Sequence, residues 1–124
     1  AALLQGMTPA LDAAEFGYGL IGSGQEVPGA VRWFAVIEED EGRTVIGTVA
    51  ELTACGIDHV PGWARISMAV HSDLAAGGLT AAVAVALTQA GISANVVAGY
   101  FHDHFLVQWN RRDEAMAVLR GLSA

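Results

Sequence analysis

"ARISMAVHSDLAAGGLTAAVAVALTQAGISANVVAGYFHDHFLVQW", residues 64–109, decides the fold. Its first eight residues alternate. Ile66, Met68 and Val70 face one way, and Arg65, Ser67, Ala69 and His71 face the other, as in a half-buried strand. "SDLAAGG" (72–78) is a loop leading into a helix over "LTAAVAVALTQAG" (79–91). That helix is apolar nearly all round, which predicts burial over much of its surface, and Gly91 is its expected C-cap. "SANVVAGYF" (93–101) and "FLVQW" (105–109) read as strands meeting at a polar corner, His102-Asp103-His104. Asn110 then caps a last helix, "RRDEAMAVLRGL" (111–122), striped by Ala115, Val118, Leu119 and Leu122, with Asp113 near capping-box spacing. The order β-α-β-β-α is ferredoxin-like without its last strand. A fourth strand must come from elsewhere in the chain, or an edge stays bare.

The preceding residues offer it. "EFGYGLIG" (15–22), "VRWFAVIEE" (31–39) and "RTVIGTV" (43–49) read as strands, the last two forming a hairpin over "DEG" (40–42). "ALLQGMTPALD" (2–12) reads as short helical turns broken at Pro9. "AELTACGI" (50–57) is a short helix that Gly56 can end, and "DHVPGW" (58–63) is a linker between halves. The expected fold is α+β: a continuous antiparallel sheet built from both halves, with helices on one face.

Composition narrows the classes. The chain has 124 residues, 53% of them hydrophobic and 15% charged, which suits a packed globular domain rather than disorder. Thirteen acidic residues against six basic ones give a net charge of −7, unsuited to nucleic acid or an anionic membrane. A single cysteine, Cys55, excludes an intrachain disulfide framework and points to a reduced, cytoplasmic setting. No apolar run reaches membrane-spanning length and no basic segment opens the chain, so neither a span nor a leader is expected.

The segment "VHSDLAAGGLTAAVAVALTQAGISANVVAGYFHDHFLV" (70–107) closely resembles the second half of small two-part bacterial ACT-domain proteins, and "LLQGMTPAL" onward resembles their companion ACT-like module. "ISANVVAGYFHDHFLV" (92–107) is the most specific part of the resemblance. It implies a partial ACT-like module over residues 1–58 and an ACT domain of βαββαβ type over 59–124. It also implies binding of a small molecule, often an amino acid, and side-by-side pairing into a homodimer. Carried onto this chain, the ligand positions are Ser72, Asp73, Leu74, Gly77, Gly78 and Leu79 at the helix start, with Asn95 and Val96 from the next strand. The family tends to end its third strand with Val-Pro, where this chain has Val107-Gln108-Trp109.

Each candidate site has a plainer reading beside it. The glycines of 77–78 let backbone N–H groups approach a ligand, a helix N-terminus favours a carboxylate, and Asp73 can take an amino group. The same residues also make an ordinary helix cap, with Ser72 or Asp73 satisfying the first turn. His102, Asp103 and His104 have the chemistry to hold a transition metal, but the spacing matches no zinc signature and turn formation explains Asp103; no metal or other cofactor is expected. Cys55 with His59 four residues on has the makings of a nucleophile pair, yet a lone cysteine on an apolar turn is commonly a core residue. No G-x-S-x-G, H-E-x-x-H, P-loop or dinucleotide fingerprint occurs.

The leading expectation is therefore a regulatory ACT module without enzymatic activity that binds a small molecule, by resemblance an amino acid. A structural subunit forming ACT-type dimers without ligand is the alternative. A metal-dependent or Cys/His enzyme is the third reading.

Overall fold

The computed structural model describes residues 8–69 and 77–123. Within them the chain runs β1 (Ala10–Gly22), β2 (Ala35–Glu39), β3 (Gly42–Thr48), α1 (Val49–Ala54), β4 (His59–Ala69), α2 (Gly77–Gln89), β5 (Ala94–Ala98), β6 (His102–Gln108) and α3 (Arg112–Ser123). The strands follow the order β2-β3-β1-β4-β6-β5. The pairings β1–β3, β2–β3, β4–β6 and β5–β6 are antiparallel. No helix among the described residues is long and apolar enough to cross a membrane.

Contacts divide the chain into two units, one taking the chain through Ala13 and from Trp63 on, the other spanning Ala14–Gly62. The first holds the β-α-β-β-α run read from the sequence. Its missing strand is the opening of β1, Ala10–Ala13, which lies beside β4. Leu11 there packs on the core, and Asp12 pairs with Arg65 at 2.7 Å.

The alternation of β4 is borne out: Ala64, Ile66 and Met68 are fully buried against Val83 and Leu87 of α2 and Ala115, Met116 and Leu119 of α3. Phe105 and Val107 of β6 complete this core. Burying each of the larger side chains here, alanines aside, is worth about 1.5–3 kcal/mol. The helix α2 is less enclosed than its sequence predicts. Val83 and Leu87 are buried, but Val85, two residues off that stripe, is 55% exposed. Its end follows the prediction. Gly91 has φ +76°, Gly91 N–H donates to Thr88 O at 2.9 Å, and Ile92 N–H donates to Leu87 O at 2.9 Å. This double closure requires a residue tolerant of positive φ, and it drops Ile92 onto Leu87 in the core. Arg111 then donates to Ala90 O and Gly91 O, placing a cation on the α2 carbonyl end.

In the Ala14–Gly62 unit, Ile21, Val45 and Leu52 form the core with Val27, Trp33 and Ile57. Thr48 starts α1 through a reciprocal capping box with Glu51. Gly56, at φ +66°, ends it with the same closure as α2, Ile57 N–H donating to Leu52 O at 3.0 Å. A Cβ on Gly47 would lie 2.6 Å from Trp33 Cε3, so the absence of a side chain lets the indole lie on the strand.

Several expectations are corrected. Residues 10–12 open a strand rather than end a helix, while residues through 7 lie outside the description. The strand expected over 31–39 is regular only from Ala35, because Trp33 turns into the core, its Nε1 donating to Pro28 O. The expected linker 58–63 mostly belongs to β4. Pro61 brings no N–H, and Gly62, at φ +97°, donates its own to Glu15 Oε2 at 2.8 Å, so the strand continues across them. Asn110 does not cap α3. Trp109–Arg111 forms a 3-10 turn instead, and the Arg112 guanidinium stacks 3.7 Å over the Trp109 ring.

Candidate functional site

The His102-Asp103-His104 corner is not a corner. These residues open β6, and the reversal falls at Gly99-Tyr100-Phe101, closed by Gly99 N–H donating to His102 O at 2.8 Å. Tyr100 and Phe101 stand exposed at the tip with their rings edge to face, 5.0 Å apart. In a strand, alternate residues share a face. Asp103 therefore turns one way and the two histidines the other.

Asp103 pairs with Met68 of β4 and Ala98 of β5, on the side of the sheet that carries the core. It is only 7% exposed, and Thr80 Oγ1 donates to its Oδ2 at 3.4 Å. Thr80 is in the first turn of α2, so a buried carboxylate lies beneath a helix N-terminus, where the dipole favours negative charge. Sequence reasoning missed this role by assigning Asp103 to a turn. Extending the Val107, Phe105 alternation back two residues would have placed it on the core face.

The predicted ligand residues distribute as follows. Ser72, Asp73 and Leu74, with His71, lie outside the described residues. Gly77, Gly78 and Leu79 are the first three residues of α2, which starts two residues earlier than expected. Asn95 and Val96 lie in β5, against which α2 packs. Val96 pairs with core-facing Phe105 and shares its side, whereas Asn95 pairs with Leu106 and points to the opposite face. Val96, Asp103 and the first turn of α2 therefore lie on one side of the sheet, and Asn95 does not.

The opposite face holds a second polar group. Ser67 pairs with His104 across β4 and β6, its Oγ 2.7 Å from His104 Nδ1. His102 lies two residues along the same strand, its ring centroid 6.1 Å from that of His104. Burial pushes the His104 imidazole below its ordinary value. The Arg65 guanidinium, and after it the neighbouring His102 ring, act in the same direction, and Asp103 opposes them. Among the described residues no group of three or more His, Cys, Asp or Glu side chains is placed to hold a metal.

Cavities among the described residues include two in the Ala14–Gly62 unit. One of about 370 Å³ is lined by Tyr18, Leu20, Asp58, His59 and others, and one of about 520 Å³ by Gln25, Glu26, Cys55, Asp58 and others. Cys55 is the residue that closes α1 and lines the larger cavity, while His59 lines the smaller with Nδ1 2.8 Å from Ile57 O. His59 thus orients on backbone rather than on the thiol.

A family model described as an ACT domain matches residues 58–121. The chain is similar to a crystal structure of a protein of unknown function from Vibrio cholerae, described as a possible transport protein. That match has 31% identity, covers 98% of this chain and 93% of that one, and has a TM-score of 0.84. Aspartate kinase from Clostridium acetobutylicum shares the fold at 12% identity and a TM-score of 0.72, covering 94% of this chain and 34% of the kinase. The regulatory subunit of aspartate kinase from Thermus thermophilus does so at 12% identity and a TM-score of 0.65, with 91% of this chain and 95% of that one covered. No curated protein matches the chain.

Proposed function

The chain belongs to the family of ACT-domain proteins, and from that premise we propose that it is a regulatory module that binds a small zwitterion, an amino acid, at the start of α2. It performs no chemistry of its own. The observation that carries this reading is the buried Asp103 carboxylate, set under the first turn of α2 beside Thr80. A buried carboxylate is costly unless a donor or cation meets it. The α-amino group of a ligand supplies both at once, in a charge-assisted hydrogen bond. The N–H groups of Gly77 and Gly78, in the first turn where a helix offers them no carbonyl of its own, suit the ligand's carboxylate. The family resemblance adds Ser72, Asp73 and Leu74 to the site, while Leu79 belongs to the helix and Val96 to β5. Asn95, on the far face, acts through the strand or through a second copy.

Residues 1–58 and 59–124 act as two ACT-like modules, the first partial, in a cytoplasmic homodimer. Regulation is linkage: a ligand that prefers one arrangement of the modules shifts the population toward it by its difference in affinity. The shared fold with the regulatory subunit of aspartate kinase supports the reading.

Calorimetric titration of amino acids into the wild type, Asp73→Ala and Asp103→Asn tests it. A charge-assisted hydrogen bond is worth about 1.5–3 kcal/mol. Each variant should therefore lose about tenfold or more in affinity while remaining folded. Equal affinity in all three proteins would move the ligand elsewhere.

A further inference from the structure

Taking a small zwitterion at the start of α2 as the ligand, we propose that its side chain is apolar and that Val96 of β5 selects for it. The starting point is Asp103, 7% exposed, whose carboxylate has one hydrogen-bond partner among the described residues, Thr80 Oγ1 at 3.4 Å from Oδ2. Charge-assisted bonds between a hydroxyl and a carboxylate run about 2.5–2.7 Å, so this contact leaves most of the group's bonding capacity to the ligand's amino group. The surroundings of Asp103 set what the rest of the ligand meets. Across the ladder it pairs with Met68 of β4 and Ala98 of β5. Neither α2 (Gly77–Gln89) nor β5 (Ala94–Ala98), the helix above it and the strand beside it, holds an Asp, Glu, Lys, Arg or His. A charged side chain laid against these two elements gives up hydration and gains no counter-charge from them.

An apolar side chain finds a surface there. β5 is the last strand in the sheet order. Ala98 takes the side of Asp103, and Val96 takes the side of Phe105, so both lie on the core side of the sheet. Yet Val96 is 39% exposed and Ala98 is exposed as well. With a rise of about 3.3 Å per residue, Val96 stands about 7 Å along the strand from the Ala98–Asp103 pair, within the span of one amino acid. A ligand whose amino group meets Asp103 can therefore lay its side chain over Ala98 and Val96. The gain grows with the apolar area removed from water. Ala98 leads directly into the hairpin tip, where Tyr100 and Phe101 add two exposed rings. Asn95 and Val97 pair with Leu106 and His104 and alternate to the other face, which leaves Val96 as the branched side chain of β5 on the ligand's side.

Calorimetric titration of the intact chain with each of the twenty amino acids tests this. An amino acid with an apolar side chain should bind tightest, and it should exceed alanine by about tenfold or more, the usual worth of an added methylene in an apolar site. Aspartate, glutamate, lysine and arginine should bind at least about a hundredfold more weakly than that ligand. Val96→Thr keeps the size and β-branching but places a hydroxyl on the strip. It should weaken the best apolar ligand by about fivefold or more while the ligand-free melting temperature stays that of wild type. Val96→Asp should shift preference from that ligand toward lysine and arginine. Binding led by a charged or polar amino acid overturns the proposal, as does undiminished apolar affinity in Val96→Thr, and both results leave the amino-acid reading standing. Binding of none of the twenty overturns that reading and the proposal together.

Discussion

At the scale of single residues, close approach governs the chain. The Cβ that Gly47 lacks would meet Trp33 at 2.6 and 2.8 Å, and a ring cannot yield as a flexible side-chain end can. Gly47→Ala should cost about 1–3 kcal/mol, the range for overpacking, and shift tryptophan fluorescence. Gly29→Ala is the control. Nothing lies within 4 Å of a Cβ there, so urea unfolding should place it within about 0.5 kcal/mol of wild type. Asp103 teaches a related lesson. Its identity alone reads as turn chemistry, because Asp favours turns for local reasons. What places it beneath α2 is register with Met68 and Ala98 on the neighbouring strands, which no local pattern carries.

At the scale of elements, the helix ends were the most legible feature. Gly56 and Gly91 both read as stops, and both close their helices at positive φ. Gly91→Ala puts a Cβ at φ +76° and should destabilise by about 1 kcal/mol or more in chemical denaturation. Thr48→Ala removes the side-chain half of the α1 capping box and should cost about 0.5–2 kcal/mol by the same measurement. Strand limits were less legible. Tyr100 and Phe101 carry strong strand propensity, yet they form the exposed tip, while the polar His102-Asp103-His104 runs in β6. Propensity here ranks below pairing: the seven residues of β6 pair with β4 from Gln108 to His102. The Pro61-Gly62 pair misled similarly. It punctuates the sequence, but the one N–H it has is satisfied by Glu15, 47 positions earlier.

At the scale of the molecule, the ferredoxin-like order predicted a missing fourth strand, and the chain supplies it from its opening residues. Ala10–Ala13 belongs to the same unit as β4, α2, β5, β6 and α3. The source was legible only as a necessity, since residues 2–12 read locally as helical turns. Deleting residues 1–13 should leave β4 without its neighbour, raising hydrogen exchange across Trp63–Ala69 while the Ala14–Gly62 unit keeps its protection. Asp103 and the two histidines lie on opposite sides of β6, and the buried carboxylate beneath α2 is the group that the regulatory reading depends on.

The most direct measurement is a thermal-shift series of the twenty amino acids against the wild type and Asp73→Ala. At a hundredfold excess over its dissociation constant, a ligand adds about 2.7 kcal/mol, seen as a rise of several degrees. The account predicts such a rise with one or a few amino acids, lost in Asp73→Ala, whose ligand-free melting temperature stays that of wild type. A flat response to all twenty, or an equal rise in the variant, would contradict it.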